Sequence, residues 1–169
     1  MKARARALGH PIHPMLIAFP LGLFPVAVIF DIIHWYTQNG RWADISFWLI
    51  AAGIIGGLLA AVFGFMDWLK IPPSTRAKAI GLLHGVVNLI VVGLFIVSWL
   101  LRRPNPATPG TLDVALGIIA VLLALFSGWL GGELVFRLNM GVDEGAHLDS
   151  PNSLSGRPAT ENAGGPRPV

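Results

Sequence analysis

His10 and His13 stand in the run Gly9-His10-Pro11-Ile12-His13-Pro14, directly ahead of the apolar stretch Met15-Leu16-Ile17-Ala18-Phe19-Pro20. Proline after each histidine restricts the backbone that carries the two imidazoles. A neutral imidazole offers one ring lone pair and one N–H, so it can ligate iron, zinc or copper, or hydrogen-bond across a helix contact. Four more polar residues interrupt long apolar runs further along: Asp67, His84, Asn88 and Glu133. Ionisable side chains are costly inside a membrane span, which makes each a candidate functional group. The chain has no cysteine, which excludes disulfides, thiolate metal sites, c-type haem attachment and cysteine nucleophiles.

The elements that must position these groups are transmembrane helices. Only 12% of the residues are charged, about half the 25% or so of a soluble domain, and the mean hydropathy is +0.66. Four apolar segments reach the roughly 20 residues needed to cross a bilayer core. They run from about Pro14 to Trp35, Ile45 to Leu69, Thr75 to Leu101 and Thr111 to Leu138. Pro20 and Pro25 should kink the first, and neighbouring helices can cover the carbonyls this frees. Small-residue strips, Gly53/Gly57/Ala60/Ala61/Gly64 on the second helix and Gly117/Ala120/Ala124/Gly128/Gly132 on the fourth, allow close helix approach. The basic N-terminal residues resemble a signal-peptide leader, but the first apolar run is too long and lacks a small-x-small cleavage site, so it reads as a retained helix.

The expected fold is all-α, a four-transmembrane-helix bundle with a disordered C-terminal tail. Residues 1–13 form a basic N-terminal segment, 14–140 the bundle and 141–169 the tail, where apolar residues give way to Gly, Pro, Ser, Asn and Asp. Lys2, Arg4, Arg6, Lys70, Arg76, Lys78 and Arg137 lie on one side; Arg41, Arg102 and Arg103 lie on the other. That bias places both termini in the cytoplasm. The same loop placement accounts for the net charge of +3 without nucleic acid as a partner.

With four crossings, His10, His13, Asp67, His84, Asn88 and Glu133 all come to the cytoplasmic side, His84 roughly 9–14 Å below the entrance at 1.5 Å per residue. Each helical hairpin opens with histidine and closes with a carboxylate, a faint internal echo that suggests a pseudo-twofold axis. Plainer readings stand beside the functional ones. Glu133 and Arg137 are spaced i,i+4 for an interfacial ion pair, and Asp67 fits an ordinary helix end. His84 could hydrogen-bond a neighbouring helix. Asp31 and His34, near the opposite face, read as an interfacial pair beside Trp35.

The stretch from Gly9 to Pro20, Gly64-Phe65-Met66-Asp67-Trp68, His84 with Asn88, and the run 128–136 together resemble the DUF2231 family. The resemblance spans roughly residues 8–142 and implies a bacterial four-helix inner-membrane protein without an established function. Relatives usually carry a further histidine where this chain has Ala18, and often another where it has Asn139. Some occur with Rieske-type or cytochrome c-type domains, which implies redox partners.

Three functions are consistent with these residues. In the first, an electron-transfer subunit holds haem b between His84 and His13 or His10, with Gly81 and Gly85 leaving room for the porphyrin and Asn88 on the same face. The second is a structural or assembly subunit of a larger membrane complex or homo-oligomer, its polar cluster serving packing. In the third, His13, His84, Asp67 and Glu133 bind non-haem iron or zinc. No nucleophile elbow, HExxH or phosphate-binding glycine loop is present, so an enzyme is not the expectation.

Overall fold

A computed structural model describes residues 3–164. Lys2 of the basic segment and the last five residues of the expected tail lie outside the described residues. A short antiparallel hairpin opens the fold, with β1 (Arg6–Ala7) paired to β2 (His10–Pro11). Its turn takes positive φ at Leu8 (50°) and Gly9 (82°), and glycine supplies the second at no steric cost. Helices α1 (Ile12–Leu16), α2 (Ala18–Thr37), α3 (Gly40–Lys70), α4 (Arg76–Arg102) and α5 (Thr111–Gly132) follow, and a π turn (Glu133–Arg137) extends the last.

These elements make four spans long and apolar enough to cross a membrane: Ile12–Thr37, Gly40–Lys70, Arg76–Arg102 and Thr111–Arg137. The break between α1 and α2 falls at Ile17. Pro20 causes it, since it has no N–H for the Leu16 carbonyl and its ring crowds that oxygen. Pro25, also expected to kink the span, sits inside an unbroken α2. The second span begins five residues earlier than the apolar run suggests. Asn39 caps it there, its side-chain oxygen accepting the Arg41 N–H at 3.1 Å. Thr75 caps α4 in the same way through the Lys78 N–H.

Around the bundle the order is α2, α3, α4, α5 and back to α2, so α2 and α4 face one another across the centre. The core lies on that diagonal. Phe24 and Phe95 stack with ring centroids 3.9 Å apart and planes 10° off parallel. Ala27, Val28, Ile50, Val87, Val91, Val92 and Ala120 surround them. Gly53 makes room for the stack, because a Cβ there would sit 2.5 Å from a Phe24 ring carbon. Residues 141–164 form turns without helix or strand. They return across the N-terminal hairpin, where Arg6 and Asp143 make a bidentate ion pair at 2.6 and 2.9 Å.

A paired-imidazole candidate site on an internal repeat

His13 enters the bundle from α1 and His84 from α4, and their ring centroids are 6.5 Å apart with planes at 90°. Each ring is fixed through Nδ1. The His13 Nδ1–H donates to the Ala60 carbonyl at 2.8 Å, and the His84 Nδ1–H donates to the Ser127 carbonyl at 2.9 Å. A carbonyl only accepts, so each ring carries a proton on Nδ1, and in the neutral tautomer Nε2 is the acceptor. One helical turn beyond each acceptor a glycine receives the ring. A Cβ on Gly64 would lie 2.8 Å from His13 Cε1, and one on Gly131 would lie 3.3 Å from His84 Cε1.

The echo suspected between the two halves is therefore a structural repeat. His13 and His84 are 71 positions apart, and Phe24 and Phe95 share that spacing. Ala60 and Ser127 are 67 apart, as are Gly64 and Gly131, which places α3 and α5 in equivalent roles. The carboxylates of the suspected echo do not belong to it. Asp67 corresponds to Leu134, and Glu133 to Met66, at the spacing that α3 and α5 obey.

Symmetry breaks at the Nε2 atoms. Asn88 Nδ2 donates to His84 Nε2 at 3.0 Å, whereas the position equivalent to Asn88 is Ile17. His13 Nε2 has no hydrogen-bond partner among the described residues. Ser127 Oγ completes the second ring's setting, lying 3.0 Å from His84 Nδ1.

The other candidates are held elsewhere. His10 sits on β2, its Nε2 3.3 Å from Ser153 Oγ in the C-terminal segment. Asp67 Oδ1 accepts the backbone N–H groups of Arg4 at 2.6 Å and Ala5 at 3.4 Å, which ties the N-terminal segment to the end of α3. Glu133 pairs with Arg76 at 2.6 Å and not with Arg137. The π turn causes that difference, because its wider winding carries Arg137 off the i,i+4 alignment. Among the described residues no three His, Cys, Asp or Glu side chains gather as a metal set. Of the four proposed metal ligands, only His13 and His84 come together.

A haem between the histidines fits this arrangement poorly. Asn88 stands at the Nε2 position where iron would bind His84, and a porphyrin plate would need that space cleared in every direction. Trp68 and Ile71 fill the position beside Gly81 that was expected to be open, while Gly85 does face open space.

At the other end of the bundle, sequence reasoning missed the third pair on the repeat. Asp31 and Arg102 are also 71 apart and form a bidentate ion pair at 2.9 and 3.0 Å. Neither side chain has exposed surface. Ser46 Oγ accepts from the same guanidinium at 3.2 Å. Ser98 Oγ accepts from it at 3.1 Å and donates to the Asp113 carbonyl. His34 does not pair with Asp31; its Nδ1–H donates to the Asn39 carbonyl at 3.0 Å. The sequence groups Arg102 with Arg103 among the far-side cations, and the signal that separates the two is the 71-residue spacing of Arg102 from Asp31.

Fold and site together define a four-span helical membrane protein built from two equivalent hairpins that meet along a diagonal of paired residues. Residues 9–144 match the family described as predicted membrane protein (DUF2231), and the chain belongs to that family. No curated protein and no solved structure matches it.

Proposed function

We propose that the protein is a non-catalytic structural or assembly subunit of a larger membrane complex, seated in the bacterial inner membrane with both termini in the cytoplasm. One observation carries this reading: the polar side chains of the spans are engaged in holding the bundle together. His13 and His84 bridge to neighbouring helices, Asp31 binds Arg102, Asp67 binds the N-terminal backbone, and Glu133 binds Arg76. Groups fixed in this way contribute to closing the fold and are poorly placed to turn over a substrate. Burial of Arg102 also removes one cation from the far-side loops and so strengthens the inward positive bias.

Small residues on the outer surface give the subunit a means of association. A Cβ on Gly22, Gly85, Gly93 or Gly128 would meet nothing within 4 Å, and Gly22 and Gly93 are again 71 apart. In lipid, packing at such positions is a main source of helix–helix affinity. The test is the size of the wild-type protein extracted from its own membrane in mild detergent. The expected result is a species larger than the monomer, reduced to monomer by Gly22→Leu or Gly93→Leu without change in the thermal midpoint. A monomeric wild type would overturn the proposal.

A further inference from the structure

We infer that the end of the bundle carrying the N-terminal hairpin is a binding surface for anionic phospholipid headgroups, centred on Trp68 and Lys78 at the α3–α4 turn. It goes beyond the structural reading, because it concerns the rim of the bundle and not the groups paired inside it.

Charge at this rim is unbalanced. Asp67 accepts the backbone N–H groups of Arg4 and Ala5, Glu133 takes Arg76, and Asp143 takes Arg6. The side chains of Arg4, Lys70, Lys78 and Arg137 have no carboxylate at ion-pair distance among the described residues. Lys78 is the ordered member of this set. Its Nζ donates to the Trp68 carbonyl at 2.8 Å and lies 3.7 Å from the centre of the Trp68 ring, while Trp68 Nε1 donates to the Lys78 carbonyl at 3.1 Å. Gly81 leaves room for the indole, since a Cβ there would sit 2.9 Å from Trp68 Cδ1. A carbonyl and a ring face attract the ammonium without neutralising it. An anion arriving here meets a cation already held in place, so little side-chain entropy is left to lose.

The apolar neighbours decide which anion. Phe65 stacks on Trp68 with centroids 5.9 Å apart and is 59% exposed, and Leu69 is 49% exposed. Beyond the π turn's departure from the α-helical register, Phe136 is 86% exposed and lies next to exposed Arg137. Aromatic rings beside lysine and arginine at the end of a span belong to the membrane–water interface. The negative groups at that depth are lipid phosphates, and clustered cations there favour anionic lipids over zwitterionic ones. An acidic peptide would neutralise the cations but leave Phe65, Leu69 and Phe136 uncovered, whereas a phospholipid covers both.

The experiment reconstitutes the full chain in bilayers of equal parts phosphatidylglycerol and phosphatidylcholine, with a brominated acyl chain on one lipid and then on the other. Tryptophan quenching reads which lipid lies against the protein. The expected result is stronger quenching by phosphatidylglycerol, with a preference that falls as salt is raised. Lys70→Gln with Lys78→Gln should reduce that preference by about fivefold for each cation removed. Arg41→Gln with Arg103→Gln, at the opposite end, should leave it unchanged. Equal quenching by the two lipids, or full preference in the Lys70 and Lys78 variant, would overturn the inference. Loss of the preference on adding inorganic phosphate at constant ionic strength would also overturn it, by making the free anion the ligand. Should Lys78→Gln fail to fold, Lys70→Gln with Arg137→Gln replaces it, since both side chains are exposed, and an undiminished preference there would count equally against the surface.

Discussion

Asp31 and Arg102 occupy equivalent positions in the two halves of the chain and bind one another, carboxylate to guanidinium, with no exposed surface on either. At 1.5 Å per residue this pair lies about 27 Å along the bundle from His13, with the Phe24–Phe95 stack between the two levels. Removing one partner leaves an uncompensated buried charge. Asp31→Ala or Arg102→Ala should therefore each cost about 3–5 kcal/mol, measured by denaturant unfolding in micelles.

Glycines on the inner and outer faces should respond differently. Gly53→Ala places a methyl 2.5 Å from the Phe24 ring, which is buried and stacked and cannot yield. The expected loss is about 1–3 kcal/mol. Gly93→Ala meets open space and should be neutral or stabilising by about 0.5–1 kcal/mol, since alanine is the better helix former. Thermal midpoints of the two variants test the contrast.

Glu133 and Arg76 provide a control. Arg76 is 60% exposed, and exposed pairs contribute about 0–1 kcal/mol. Glu133→Gln should thus lower stability by less than about 1 kcal/mol. Arg137→Gln should change nothing, because the π turn has moved Arg137 away from Glu133. A larger effect at Arg137 would restore the i,i+4 pair.

The Arg6–Asp143 pair should hold the C-terminal segment against the N-terminal hairpin. Its hydrogen bond to Asp143 raises the Arg6 guanidinium above its ordinary value despite an opposing burial effect. A cation whose folded value is raised contributes fully below its unfolded value and loses that contribution only as pH climbs through the folded one. On the arginine side the contact is consequently constant between about pH 6 and 9. Arg6→Ala should speed tryptic cleavage at Arg157 across that range, and an unchanged rate would show that the pair does not hold the segment.

Much of this architecture is legible from apolar runs alone. Four spans and the turn at Asn39-Gly40 follow from length and threading. The contact of His13 with His84 does not, because the residue count leaves His84 roughly 9–14 Å below the entrance where His13 is expected. The first span starts at Ile12 and carries His13 inward to meet it. Neither do the partners of the charged residues follow. Which of Arg102 and Arg103 turns inward depends on the face α4 shows to α2, and an apolar run followed by two arginines reads as a helix end either way. Glu133 chose Arg76 because a π turn, which leaves no clear composition signal, shifted the register beyond it. Asp67 took backbone N–H groups, donors that every residue but proline carries and that sequence therefore cannot single out.

Pairing across the axis is tested most directly by reversing it. The exchange Asp31→Arg with Arg102→Asp keeps both charges at equivalent positions, beside Ser46 and Ser98 hydroxyls that can donate or accept. Unfolding free energies of the two single reversals and the double reversal should show strong coupling, with the double variant recovering most of the stability that each single one loses. A double variant as unstable as the sum of its singles would contradict the internal axis and, with it, the packing role of the polar groups in the spans.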